Sequence, residues 1–447
     1  MELRLSEVLS ALSHALDITE GQPRGHAERS CLIGMRLGTQ IGLGEEELSS
    51  LFYALLLKDA GCSSNSAKVA ALYGNADSEV KRDRKTTDHL RPAQSLRHLL
   101  RNTAPGASPL EKARHIRALV AHGSEGVREL TALRCERGAD VARKVGMDEA
   151  SAQAIAALDE HWDGRGYPAG VAGEEIPLLG RILCLAQTAE VFWQLGGAGG
   201  ACRVAGARRG AWFDPELADA LCGFEHDEEF WFSLEQPHVA AWEPADRVET
   251  ADQSRLDRVA EAFATVVDAK SPYTAKHSEG VACIAAGLAT LLGLDDRTRR
   301  DLYRAGLLHD IGKLGLSNRI LDKRGGLDAD EWREVRRHPL MSLQILRRVG
   351  ALRGVARLSG LHHERLDGSG YYLGFDGTQL DLPARVLAVA DVAEALSADR
   401  PYRAALSPDE VLEIMSREAG TKIDAEAFEA LVTLMTDPRV AERVAAA

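Results

Sequence analysis

The stretch Gly306-Leu307-Leu308-His309-Asp310-Ile311-Gly312-Lys313 decides how this chain is read. An apolar helical run, Leu302 to Leu308, ends in a His-Asp doublet, and a glycine and a lysine follow at once. Imidazole suits late first-row divalent metals, and a carboxylate can bridge two of them. A lysine close by can hold a phosphate as a point charge. An isolated His-Asp pair is usually a surface or capping feature, so the reading depends on partners elsewhere in the chain.

Those partners are present. His277, His338, His362 and His363 each stand at a helix end or a break: His277 after Ser271-Pro272-Tyr273-Thr274, His338 before Pro339, His362-His363 before a Gly-rich loop. Asp391 stands alone in the apolar run Val386-Leu387-Ala388-Val389-Ala390-Asp391-Val392. A carboxylate there is costly to bury without a cation or donor. Five histidines with Asp310 and Asp391 make seven ligands, about what two carboxylate-bridged divalent metals need when water completes each shell. Two such metals can share one hydroxide nucleophile and neutralise an attacked phosphorus, which is phosphoester hydrolysis.

The chain also contains its own control. His26, Lys58, Asp59, Gly61 and Cys62 precede His277, His309, Asp310, Gly312 and Lys313 by 251 positions each. Further on, Asp163-Gly164-Arg165-Gly166-Tyr167-Pro168 parallels Asp367-Gly368-Ser369-Gly370-Tyr371-Tyr372 at a shift of 204. The change of shift places a 47-residue insertion in the first copy, roughly residues 64–112. The unit is therefore duplicated. In the first copy Lys58, Arg134, Leu158, Asp159 and Gln187 replace His309, His338, His362, His363 and Asp391. The frame survives and five of seven ligands do not, so a metal site is expected in the second copy and none in the first.

Hydrophobic residues make up 45% and charged residues 27%, ordinary for a globular protein, while aromatics are only 5%. That balance, rich in Ala, Leu, Arg and Glu, favours helices. Strand-like alternation is scarce, so the fold class is all-α, in two tandem helical domains. The expected division is 1–224, a connecting segment 225–252 that packs through Trp231 and Trp242, and 253–447. Helices are expected over 254–268, 277–292, 295–308, 330–337, 340–349, 351–361, 383–397, 408–418 and 424–434. Gly196-Gly197-Ala198-Gly199-Gly200 reads as a flexible loop. A formal charge of −13 argues against a nucleic-acid polymer as partner. Seven scattered cysteines, no leader pattern and no long apolar run point to a cytoplasmic protein without membrane insertion. The two copies are expected to pack as an intramolecular pseudo-dimer, with a homo-oligomer also allowed.

These motifs together resemble the HD-GYP family of bacterial phosphohydrolases, a branch of the HD superfamily. They are His277, His309-Asp310-Ile311-Gly312-Lys313, His338-Pro339, His362 through Tyr371, Ala390-Asp391 and Asp399-Arg400-Pro401-Tyr402-Arg403. The resemblance covers nearly all of 255–430 and, in degenerate form, about 5–224. It implies a metal-dependent phosphodiesterase with iron or manganese that hydrolyses cyclic di-GMP. One metal would take His277, His309, Asp310 and Asp391; the other Asp310, His338, His362 and His363. Asp310 and Lys313 would be catalytic, with Lys313 on the scissile phosphate. Gly370, Tyr371, Arg400 and Arg403 would join it in holding substrate. Three-metal members carry a glutamate where this chain has Tyr273, so two metals are expected. The family's Gly-Tyr-Pro is Gly370-Tyr371-Tyr372 here, which removes a fixed φ from the substrate loop. Ser342 and Glu394 stand where glycine and aspartate are usual, and both read as tolerable substitutions. Another nucleotide or phosphoester as substrate, and a non-catalytic nucleotide-binding protein, are the alternative readings.

Overall fold

The computed structural model describes the chain apart from Met1, Glu2, Ala275, Arg324, 399–403, Pro438 and 440–447, and apart from the side chains of Ser124 and Asp246. Among the described residues there is no strand, only three isolated β-bridges. The chain divides into two compact units, Met1–Arg258 with Ser317–Arg319, and Val259–Leu316 with Ile320–Ala447.

The first unit opens with α1 (Leu5–Thr19), α2 (His26–Gln40) and α3 (Glu45–Leu57). Leu5, Val8, Leu9, Leu12 and Leu16 form the buried stripe of α1, as their helical spacing requires. The insertion supplies α4 (Ser66–Tyr73), α5 (Asp77–Thr86) and α6 (Pro92–Asn102). Then come α7 (Pro109–Val145), α8 (Glu149–Ala156), α9 (Leu178–Ala207), α10 (Pro215–Cys222) and α11 (Glu228–Ser233). The 196–200 glycines are not a loop. Helix α9 runs through them with a kink at Gly196 and Gly197, where φ is +60° at Gly197. Glycine tolerates that conformation, so two residues bend the helix without ending it.

The segment 225–252 packs on the first unit. Glu243 accepts hydrogen bonds from Tyr53 (2.6 Å) and Ser6 (2.8 Å), and Trp231 is buried against Phe224 and Phe230. Trp242 packs edge-on to Phe230.

The second unit is built on α12 (Gln253–Asp268), α13 (His277–Leu291) and α14 (Asp296–Leu308). It continues with α15 (Asn318–Leu321), α16 (Ala329–Val335), α17 (His338–Leu346), α18 (Arg353–Leu361), α19 (Leu382–Ser397), α20 (Pro408–Ser416) and α21 (Ala425–Thr436). Neither α15 nor the 3-10 turn Ile311–Gly315 is foreseen by periodicity, because both are too short to show it. Helix α14 starts where the Asp295 carboxylate accepts the Arg297 and Thr298 N–H groups. Its stripe of Leu302, Ala305 and Leu308 is buried with Ala282, Ala285 and Leu288 of α13 and Val386 and Leu387 of α19.

The two copies solve this packing in mirror fashion. At Gly306 a Cβ would lie 2.4 Å from the Ala282 backbone, so α14 and α13 nearly touch there. The first copy has Leu55 at that position, and α2 opposes it with Gly34, whose Cβ would lie 2.5 Å from Leu55 Cδ1. A large residue on one helix is matched by a small one on its neighbour.

Candidate metal centre

Helix ends bring the seven residues together. His277 and His338 are the first residues of α13 and α17; His309 and His362 cap the C-termini of α14 and α18. His363 follows at once, and Asp391 comes from the middle of α19. All are buried except His363, which is half-buried.

The Asp310 carboxylate sits at the centre with two differently faced oxygens. Oδ2 is 3.6 Å from His277 Nε2 and 3.3 Å from His309 Nε2. Oδ1 is 3.2 Å from His338 Nε2 and 3.7 Å from His362 Nε2. Asp391 Oδ1 closes the first group, 3.5 Å from His277 and 3.8 Å from His309. Its Oδ2 lies 3.6 Å from His363 Nδ1. Donors around one metal with bonds of roughly 2.1 Å stand about 3–3.4 Å apart, so these spacings suit ligation.

Hydrogen bonds on the far side of the rings fix the tautomers. The Nδ1–H groups of His309, His338 and His362 donate to the carbonyls of Gly306 (2.8 Å), Val335 (2.7 Å) and Ser359 (2.7 Å). His277 Nδ1 meets the Glu394 carboxylate. Every Nε2 lone pair is thereby turned inward, as in metal-ligating histidines. His309 Nε2 and Asp310 Oδ1 are buried without a hydrogen-bond partner, and His338 Nε2 faces His362 Nε2 at 3.2 Å. Opposed lone pairs and orphaned acceptors are costly unless a cation sits between them. The residues therefore fit divalent metal.

Electrostatics agree. Burial drives the pKa of His338, His362 and His363 down, keeping the rings neutral and able to ligate. Burial also penalises charge on Asp310, but His309 and Lys313 outweigh it and hold the carboxyl well below its usual range. For His277 the desolvation cost is overcome by Asp310 and Glu394, which lift the ring to about 9 in the absence of metal.

Lys313 donates to Asp310 Oδ2 at 2.5 Å and is partly exposed. Asp310 and Lys313 line a cavity of about 160 Å³ with Asp268, Ser271 and Tyr273. Gly370 packs so tightly that a Cβ would lie 2.5 Å from Glu364 Cα. The Glu364 carboxylate gathers the loop beyond it through the N–H groups of Leu373 (2.7 Å) and Phe375 (2.9 Å). The Tyr371 ring lies 4.7 Å from that of His363, tilted by 39°. Arg400 and Arg403 lie outside the described residues.

Three contributions escape sequence reading. Glu394 reads as a tolerable substitution, yet it orients His277. Ser342 also reads as tolerable, yet its hydroxyl donates to the His309 carbonyl (2.6 Å) and accepts the Gly312 N–H (2.9 Å), pinning the His-Asp turn. The third is a groove of about 810 Å³ lined by Trp332, Arg333, Arg336, Arg337, Tyr371 and Tyr372. Arg336 lies over both Trp332 (5.7 Å) and Tyr371 (5.6 Å) there. The position of Glu394, one turn after Asp391, was the available signal; the groove had none, because its residues are far apart in sequence.

The first copy keeps the orienting pair and fills the rest with cations. His26 Nδ1 meets Glu190, the counterpart of Glu394. Lys58 pairs with Asp59, and Arg134 pairs with Asp159. Lys85 from the inserted helix α5 reaches Asp59 (3.7 Å), Glu20 (3.4 Å) and Gln187 (2.7 Å). Glu20, Asp59 and Cys62 lie close enough to one another for a metal, but ammonium groups stand against both carboxylates.

Comparison with known proteins agrees with this geometry. The HD domain model matches residues 124–217 and 261–427. A 3'3'-cGAMP-specific phosphodiesterase of Vibrio cholerae is 44% identical over 431 residues, 96% of this chain and 94% of that protein. A cyclic di-GMP phosphodiesterase of Pseudomonas aeruginosa is 40% identical over 163 residues, 36% of this chain and 39% of that protein. The crystal structure of a cyclic GMP-AMP specific phosphodiesterase of Vibrio cholerae matches with a TM-score of 0.66 at 40% identity, covering 98% of this chain and 99% of that one. No described helix is long and apolar enough to cross a membrane. The chain belongs to the HD domain family, in its HD-GYP branch of metal-dependent phosphohydrolases, as a tandem arrangement with a degenerate N-terminal copy.

Proposed function

We propose that the second copy hydrolyses a cyclic dinucleotide, with 3'3'-cGAMP as the preferred substrate. The observation that carries the hydrolytic reading is the Asp310 carboxylate, with each oxygen turned to a separate pair of imidazoles. His277, His309, Asp310 and Asp391 would hold one divalent ion, and Asp310, His338, His362 and His363 a second. Such ions supply Lewis acidity and an activated water. Iron or manganese suits this mixed imidazole and carboxylate set.

The chain's own groups do the positioning. Glu394 and the carbonyls of Gly306, Val335 and Ser359 keep the imidazoles aimed. Lys313, drawn off Asp310, places its ammonium on a non-bridging oxygen of the attacked phosphate. Water adds across one P–O bond, and the ring opens to a linear dinucleotide. The groove beside Tyr371 offers aromatic faces and guanidinium groups, which suit the two bases and second phosphate of such a substrate.

Cyclic di-GMP is the substrate the motifs imply, but 3'3'-cGAMP is favoured by the relative that matches along almost the whole chain. The relative named for cyclic di-GMP matches over about a third of it. The test is turnover of 3'3'-cGAMP and cyclic di-GMP by metal-loaded protein. A kcat/KM at least tenfold higher for 3'3'-cGAMP is expected, with Arg336→Ala raising KM more than it lowers kcat. Equal or inverted preference overturns the choice of substrate, and absence of turnover of either overturns the hydrolytic reading.

A further inference from the structure

The first copy has a cavity that the proposed hydrolysis does not use. It measures about 240 Å³, and Arg134, Asp159, Gln187 and Tyr167 line it. These are the counterparts of His338, His363, Asp391 and Tyr371, so the cavity occupies the place where the second copy gathers its metal ligands. It has not collapsed with the loss of those ligands. The inserted helix α5 instead adds three cations to its wall, Lys81, Arg84 and Lys85.

Most of that charge is already balanced. Lys81 donates to the Cys62 carbonyl (2.5 Å) and Ser66 (2.7 Å), Lys85 is held by Gln187 and Glu20, and Arg134 by Asp159. Arg84 is different. Its guanidinium is half-buried in the cavity wall with no side-chain hydrogen bond or ion pair among the described residues. Burial pulls its pKa below the ordinary arginine value, as expected for a cation that lacks an anion. A guanidinium so placed suits a phosphate.

Aromatic rings line the same cavity, those of Tyr73, His89 and Trp212. Trp212 is stacked 4.1 Å from His161. Trp212 Nε1 and His161 Nδ1 are both buried without a hydrogen-bond partner. Both atoms are closed off from the cavity, so a ligand there would meet the partly exposed rings of Tyr73, His89 and Trp212. Phosphate for Arg84, and a flat ring packed against those aromatic side chains, describe one kind of molecule. With Lys81, Lys85 and Arg134 already paired, Arg84 offers a place for one phosphate, which suits a single nucleotide.

We propose that the first copy binds a nucleoside monophosphate in this cavity, with Arg84 on the phosphate and the base against the rings of Tyr73, His89 and Trp212. This binding does not depend on what the second copy hydrolyses.

Equilibrium dialysis of the full chain against GMP and AMP, with inorganic phosphate as the comparison anion, tests it. One equivalent of mononucleotide per chain is expected, held at least tenfold more tightly than phosphate. Affinity should fall at least tenfold in Arg84→Ala, recover partly in Arg84→Lys, and be unchanged in Lys313→Ala. If Arg84→Ala melts early, Arg84→Gln carries the same test, because it keeps a polar side chain and removes the charge. No saturable binding of either nucleotide overturns the proposal. So does binding that survives Arg84→Ala but is lost in Lys313→Ala, or phosphate bound as tightly as nucleotide.

Discussion

One fold occurs twice in this chain, and the two copies have resolved the same buried polar problem in opposite ways. Each begins its second helix with a histidine, and each has an aspartate nine residues earlier, on the preceding helix, to receive N–H groups at its start. Asp17 accepts from Gly25 (2.7 Å) and Ala27 (2.9 Å); Asp268 accepts from Ser278. Each follows its central aspartate with a glycine pressed on a carbonyl, 1.8 Å from Arg134 O for a Cβ on Gly61 and 2.1 Å from His338 O for one on Gly312. At the centre they part. In the second copy imidazoles converge on Asp310 and leave lone pairs facing one another. In the first, ammonium and guanidinium groups satisfy the carboxylates directly. The scaffold is thus separable from the metal chemistry, and a buried carboxylate there needs a cation of one kind or the other.

The largest effects should come from removing that carboxylate in each copy. Asp310→Ala is expected to abolish hydrolysis, by about a thousandfold or more, while the protein still folds. Asp59→Ala should leave the chemistry of the second copy in place but cost about 3–5 kcal/mol in denaturant unfolding of the first, because Lys58 is left buried without its partner. If the two substitutions behave alike, the contrast between the copies is wrong.

The next effect should come from acid, at one ring of the first copy. Burial lowers His161 of the first copy to about 4, below the 6.5 of a free imidazole. Between those values the unfolded chain binds the proton and the folded one does not. Stability is therefore full above pH 6.5 and lost as the pH falls toward 4, by at most about 3 kcal/mol for this ring. His161→Phe should flatten that part of the pH–stability curve; an unchanged slope would show that the ring titrates normally.

A smaller difference should separate the two orienting glutamates. Glu394→Gln weakens the hold on His277 Nδ1 and should reduce metal affinity about 10–100-fold. Glu190→Gln disturbs His26 and Arg29 in the first copy and should lower the melting temperature with metal affinity unchanged. Metal titration of both variants checks the pair, and equal losses of affinity would break the comparison.

Much of this was legible in the sequence, for identifiable reasons. The shift of 251 positions, then 204, exposed the duplication and the insertion. The seven candidate ligands, which the fold brings together, stood out because each is a residue type that rarely lies beside an apolar helix run without a reason. What stayed hidden depends on folding. Helix α5 has no counterpart in the second copy, so nothing in the sequence showed that Lys85 would reach Asp59 from 26 positions away. Ser342 and Glu394 looked like substitutions to be tolerated, whereas one pins the His-Asp turn and the other aims His277. The glycines at 196–200 looked like a loop because composition does not distinguish a kinked helix from a break. The groove of Trp332, Arg336 and Tyr371 joins α16 to a loop some 35 positions later, a proximity that only the fold creates.

The central claim is that one copy carries metal on Asp310 and the other has replaced metal with side-chain cations. Elemental analysis of anaerobically purified protein, comparing the native chain with Asp310→Ala and Asp59→Ala, tests it most directly. Two divalent ions per chain are expected in the native protein and in Asp59→Ala, with both lost in Asp310→Ala. Full metal retention in folded Asp310→Ala, or metal lost from folded Asp59→Ala alone, would contradict it.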